Sequence, residues 1–187
     1  MVEGMLLLGF VTLQRLTELA WAQHNTRRLL AAGGVEFGRP QYKFLVALHA
    51  IWLGGLWLVA SSRPVDPLLL VVFVVLQFGR AWVIMTLRGR WTTRVIVVPG
   101  ERLVAHGPYR WLRHPNYLIV AAEMAVVPLA LGFVVYAAAF SVLNAALLFQ
   151  RIRIETAALG LANGTLQCLE GAETLALNRV VPPDAAG

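Results

Sequence analysis

The chain has 187 residues, 58% of them hydrophobic and only 14% charged, with a formal net charge of +6. Its mean hydropathy is +0.67. A soluble domain carries roughly a quarter charged residues, so this composition excludes an ordinary soluble fold and points to one domain with a bilayer as solvent. The basic balance, with a pI near 10.4, fits arginines flanking membrane helices. It does not fit nucleic-acid binding, because no soluble basic domain remains once the helices are removed. The single cysteine, Cys168, excludes an internal disulfide or a thiolate metal site, and His24, His49, His106 and His114 are scattered, so no metal is expected.

Five apolar helices are predicted. The first covers about residues 4–22, interrupted by Arg15 and Glu18. It lacks a basic start and a small-residue cleavage site, so it reads as a mature membrane helix and not as a signal peptide. Arg15 and Glu18, three apart, fit an ion pair inside the bundle. A loop over 23–43 carries Arg27, Arg28, Arg39 and Lys43. The second helix, 44–61, contains His49, which reads as a hydrogen-bonded packing residue. The short 62–65 connection predicts that it forms an antiparallel hairpin with the third helix, 66–87. Arg80, near the end of that helix, is expected to snorkel to the interface.

The 88–116 loop is long, and long ordered loops are usually functional. Thr92 to Val98 is rich in β-branched residues and reads as extended. Turns follow at Pro99-Gly100-Glu101 and at Gly107-Pro108, with Leu103-Val104 extended between them. The apolar run 118–149 exceeds the ~20 residues of one crossing. Pro128 and Gly132 suggest two helices joined by a tight turn near 130–136. Residues 151–178 keep a helical pattern weakened by Gly160, Gly164 and Gly171, and Pro182-Pro183 ends it. The chain is thus expected to divide into N-terminal helices (1–65), a catalytic half (66–160) and a tail (161–187) of one domain. With the N-terminus outside, thirteen of the 16 basic residues fall on the cytoplasmic side and only Arg63 on the other. That asymmetry supports five helices and this orientation.

Chemistry concentrates in Gly107-Pro-Tyr-Arg-Trp-Leu-Arg-His-Pro-Asn-Tyr117. Its arginines and aromatic residues suit an interfacial anchor. Its prolines and polar donors equally suit a ligand site, since Pro115 fits the first turn of a helix whose free N–H groups attract anions. Glu123 lies two turns further into the apolar helix, where a carboxylate requires a partner or a wet cavity. Arg151 and Glu155, four apart, fit a surface ion pair. They also emerge on the same side as the 107–117 run, so the two segments are placed to close one pocket.

These elements, in this order, resemble the isoprenylcysteine carboxyl methyltransferase family. The likeness rests on Gly107-Pro-Tyr-Arg-x-x-Arg-His-Pro-x-Tyr117 followed by Arg151-x-x-x-Glu155, within about residues 70–160. Trp91 to Gly100 resembles a bacterial subgroup associated with lipid-like acceptors. The resemblance implies S-adenosylmethionine as methyl donor, S-adenosylhomocysteine as product and no Rossmann domain. It implies cofactor contacts from Glu101, Arg102, Leu103 and Val104, from Tyr109, and from His114, Pro115, Asn116 and Tyr117. Glu155 would hold the methionyl amino group, and Arg151 would orient a lipophilic, even prenylated, acceptor. Should the acceptor be a hydroxyl or an amine, His114 and Glu123 are the candidate bases. A phospholipid N-methyltransferase and a non-enzymatic membrane scaffold are the other readings. Thr156 stands where the family often has a second acid, and no aromatic residue occurs between Gly160 and Val181.

Overall fold

The computed structural model describes residues 2–60, 62–101 and 103–161 in full, and the backbone alone over 162–180. The fold is an all-α bundle. Helices α1 (Glu3–Ala31), α2 (Arg39–Ala60), α3 (Pro67–Leu87), α4 (Pro115–Ala130) and α5 (Val134–Val180) follow in chain order. By length and composition, Arg39–Ala60, Pro67–Arg90 and Val134–Leu161 are sufficient to cross a membrane, and Pro115–Ala130 is a shorter apolar helix. Gln14, Arg15 and Glu18 lower the hydropathy of α1, which does not reach that standard. The last helix continues without interruption through the glycines that were expected to weaken it.

The ends of these elements follow from local chemistry. Asp66 caps α3, its side chain accepting from the Leu69 N–H at 2.9 Å, with Pro67 in the first turn. Pro115 opens α4 directly after His114. Gly132, at φ +83°, closes the α4–α5 turn, the left-handed conformation that ends many helices. Pro128 lies inside α4, so the break falls three residues later than a proline would place it.

Two departures from expectation concern packing. α2 and α3 are joined by a short connection but are not a main packing pair among the described residues, and they meet only within the shared core that holds Trp52 and Phe73. Among the described residues α3 packs on α4, α4 on α5, and α2 on α5 and α1. The basic 23–43 segment also contains a strand. β1 (Val35–Phe37) pairs antiparallel with β2 (Val95–Val97), with Glu36 opposite Ile96. This ribbon, the long 88–114 segment and the stretch of α5 around Arg151 gather at one end of the bundle.

The main core joins Leu8 of α1, Trp52 and Leu56 of α2, Phe73 of α3, and Met124 and Val127 of α4. Above it lies a layer of charge. Arg80 does not snorkel: it is 3% exposed, and its Nε donates to Glu123 Oε1 at 3.0 Å. Glu123, 1% exposed, also accepts from Arg15, from the Arg80 Nη2 and from Gln77 Nε2. Glu18 accepts from Arg15 Nη1 and Arg80 Nη1, both at 3.1 Å. The predicted Arg15–Glu18 pair is thus half of a balanced two-plus-two network across three helices. A charge inside a bundle persists only when it is paired and hydrogen-bonded. Glu123→Gln leaves the buried Arg80 and half-buried Arg15 guanidiniums facing one carboxylate, and breaking a buried pair costs about 3–5 kcal/mol. Thermal unfolding in detergent is expected to show a fall of that size; an unchanged melting temperature would contradict the assignment.

Candidate active site

The site is built where α4 begins. Gly107 sits at φ +61°, and a Cβ there would meet Thr86 Oγ1 at 2.6 Å, so the loop approaches α3 as only glycine allows. That approach starts a 3₁₀ turn, Gly107–Arg110, which buries Pro108 and brings Tyr109 onto the small core of Ala22, Val83, Trp91 and Ile119. Burial, and secondarily the Glu155 carboxylate, pushes the Tyr109 phenol up to about 12, so it is protonated throughout the physiological range. His114 then precedes α4, and the N–H groups of Tyr117 and Leu118 donate back to its carbonyl at 3.1 and 3.3 Å.

Tyr117 joins the two separate polar segments. Its hydroxyl donates to Glu155 Oε2 at 2.5 Å and accepts from Arg151 Nε at 2.9 Å. The His114 ring stacks on the Tyr117 ring, with centroids 5.3 Å apart and planes 9° apart. His114 Nδ1 stands 3.8 Å from Glu155 Oε2. Arg151 is 5% exposed, and its Nη2 donates to the Thr93 carbonyl at 2.7 Å. Among the described residues no acceptor meets its Nη1, so that nitrogen's donors are available to a ligand. Asn116 Oδ1 is buried and likewise has no partner there.

His114, Tyr117, Arg151 and Glu155 therefore share one cluster, with Pro115 and Asn116 in the same turn and Tyr109 beside it. The other expected residues lie elsewhere. Glu101 pairs with Arg90 at 3.2 Å. Leu103 is exposed, and Val104 faces a groove on α3. None of the cluster's hydrogen bonds reaches these three. Arg102 lies outside the described residues. Glu123 is not placed to act as a base, because both its oxygens already accept from Arg15, Gln77 and Arg80. A general base requires a lone pair directed at the substrate.

Residues not foreseen support Arg151. Thr93, whose carbonyl it binds, is held through Tyr42, the two hydroxyls lying 3.1 Å apart. The Arg94 guanidinium lies over the Tyr42 ring at 4.8 Å and donates to Glu36 Oε1 at 2.8 Å. Gln41 Nε2 bonds the Leu147 carbonyl at 2.9 Å, seating α2 on α5. The only sequence signal for this support was the β-branched run that includes Thr93.

The cluster combines a carboxylate, parallel aromatic rings, an unpartnered amide oxygen and a guanidinium with donors to spare. It suits a ligand with a cationic part against Glu155 and the rings, and a second ligand with an anionic oxygen against Arg151.

Residues 68–160 match the model of a family described as the isoprenylcysteine carboxyl methyltransferase (ICMT) family. The uncharacterized protein YpbQ of Bacillus subtilis (strain 168) is 36% identical over 159 residues, 82% of this chain and 95% of that protein. No solved structure matches.

Tyr117→Phe removes one donor and one acceptor at the α4–α5 contact and leaves Glu155 and Arg151 short of a partner. Such a loss costs about 1–3 kcal/mol. The melting temperature in detergent is expected to fall accordingly, and an unaltered value would show that the hydroxyl does not hold the two helices together.

Proposed function

We infer the activity from kinship: the chain belongs to the isoprenylcysteine carboxyl methyltransferase family and is, on that ground, a membrane methyltransferase. We propose that it transfers the methyl group of S-adenosylmethionine to an oxygen, a carboxylate or a hydroxyl, of a lipophilic acceptor at the membrane surface. The observation that carries this reading is the Tyr117 hydroxyl, which ties Glu155 and Arg151 into one cluster at the mouth of α4.

The residues present fit the cofactor. Glu155 supplies the carboxylate for an ammonium group. Asn116 Oδ1 offers a buried acceptor with no partner among the described residues. His114, Tyr117 and Tyr109 offer aromatic faces suited to a positive charge. S-adenosylmethionine supplies an already electrophilic methyl carbon, so the protein's main task is alignment.

Arg151 performs that task for the acceptor. Its Nε and Nη2 are fixed by Tyr117 and Thr93, so the guanidinium cannot swing, and Nη1 presents its donors in a set direction. An anionic oxygen held there needs no base. A hydroxyl acceptor gives its proton to His114, the titratable ring stacked at the same spot. These free Arg151 donors favour an oxyanion over an amine headgroup, and so favour O-methylation over phospholipid N-methylation. The acceptor's tail stays among the lipid-facing helices, where burial adds about 0.8 kcal/mol per methylene. The basic asymmetry supports an N-terminus outside and this site on the cytoplasmic face.

Titration calorimetry with S-adenosylhomocysteine tests the proposal. Wild type is expected to bind, and Glu155→Gln to bind about tenfold or more weakly, the loss of one charge-assisted hydrogen bond. Arg151→Lys keeps the charge but loses the planar fork. It is expected to retain binding while methyl transfer to lipid extracts, read as species heavier by one methylene, collapses. No heat and no thermal shift at saturating ligand would overturn the reading.

A further inference from the structure

A groove of about 760 Å³ opens at the same end of the bundle but on the outward face of α3. It is lined by Trp82, Met85 and Thr86 on the helix, by Arg88 to Arg90 beyond it, and by Val104, His106 and Gly107 across from it. None of Tyr109, His114, Tyr117, Arg151 or Glu155 lines it. We propose that this groove binds the phosphate headgroup of an anionic phospholipid, with Arg88 of its lining as the cationic contact, Arg28 behind Gly89 adding to the positive field, and Trp82 and Met85 against the acyl chains.

Three observations carry the assignment. The first is charge. Arg90 pairs with Glu101 at 3.2 Å, whereas the Arg28 and Arg88 side chains have no carboxylate partner among the described residues. The Arg28 guanidinium lies against Gly89, 3.1 Å from where a Cβ would stand. Two arginines thus line the groove, Arg88 and the Glu101-paired Arg90, and Arg28 lies directly behind Gly89. S-adenosylmethionine carries a sulfonium and an ammonium, so this field disfavours it and favours a phosphate.

The second is conformation. Arg88 is the one described non-glycine residue with positive φ, at φ +49° and ψ −120°. That conformation favours glycine, and glycine stands at the next position. A side chain kept where its own backbone is strained is a marker of a binding role.

The third is the apolar half. Met85 is 63% and Trp82 44% exposed on a helix read as membrane-spanning, and Trp82 packs edge-on against Trp111 at 5.9 Å. Tryptophans at the end of a span mark the headgroup level. The groove therefore meets phosphate depth with arginine and acyl depth with tryptophan and methionine, as one phospholipid requires.

Native mass spectrometry of the full chain tests this, using phosphatidylglycerol and phosphatidylcholine with the same acyl chains. Wild type is expected to retain one phosphatidylglycerol and to release phosphatidylcholine. Arg88→Gly suits the local backbone, so its melting temperature is expected to hold or rise. Its phosphatidylglycerol retention is expected to fall about fivefold, the share of one arginine at an anionic surface. Arg88→Lys is expected to restore it. Equal retention of both lipids, undiminished retention by a folded Arg88→Gly/Arg28→Ala protein, or displacement of the lipid by S-adenosylhomocysteine would each overturn the proposal. The readout is lipid retention, so it is separate from the fate of the methyltransferase reading.

Discussion

The α4–α5 hairpin decides whether there is a site at all, and the Tyr117 hydroxyl is where that hairpin closes. Counted from the 131–133 turn, Tyr117 stands about 21 Å back along α4 and Arg151 about 27 Å forward along α5, at 1.5 Å per residue. They are offset by roughly one helical turn. Side chains lean toward the N-terminus of their own helix. Tyr117 therefore reaches away from the turn, while Arg151 and Glu155 reach back toward it. The offset is taken up by the side chains, and one phenol oxygen meets both groups, at 2.9 and 2.5 Å. A shorter α5 overhang would leave Glu155 behind, and a longer one would carry it past.

That closure depends on α4 staying in place, and α4 is short. Its 16 residues span about 24 Å, less than a hydrocarbon core of about 30 Å. The charge layer compensates. Glu123 on α4 is gripped by Arg80 of α3 and by Arg15 of α1, with Gln77 as a further donor. Two positive and two negative charges cancel in the interior, and each carboxylate spans two helices. In an apolar medium such a contact is more directional than packing of similar aliphatic surfaces, because a small displacement strands a charge. The N-terminal helix, which has no part in the cluster, thus steadies the helix that carries it.

How much of this was legible in the chain depended on range. Local signals held well: Pro115 opening a helix, Gly132 ending one, the extended reading around Val95, and the meeting of the 107–117 run with Arg151 and Glu155 through helix alternation. Long-range pairings were not legible. Arg80 looked like a snorkelling residue because it sits near a helix end, and Glu123 was read as needing a partner or a wet cavity with no partner named. Each is the other's partner at a separation of 43 residues. The Val35–Phe37 strand escaped because three residues carry too little alternation to be noticed, and its partner strand is 60 positions away. The α2–α3 pairing was over-read from a short loop. A short connection constrains where two helices start, whereas burial decides what they pack against, and the buried faces of α2 and α3 turn to α5 and α4.

Electrostatics divides this end of the bundle into two environments on either side of the Gly107–Arg110 turn. Inward, a carboxylate, stacked rings and an unpartnered amide oxygen present negative potential, with a single constrained arginine beside them. Outward, arginines outnumber acids. A cationic cofactor and an anionic lipid brought to the same surface would compete for any site of mixed character. Here Gly107, pressed against Thr86, lines the outer groove and opens the turn that carries Tyr109 onto the inner core. The residue that lets the backbone approach α3 so closely therefore belongs to both faces, and a side chain at position 107 is expected to disturb both at once.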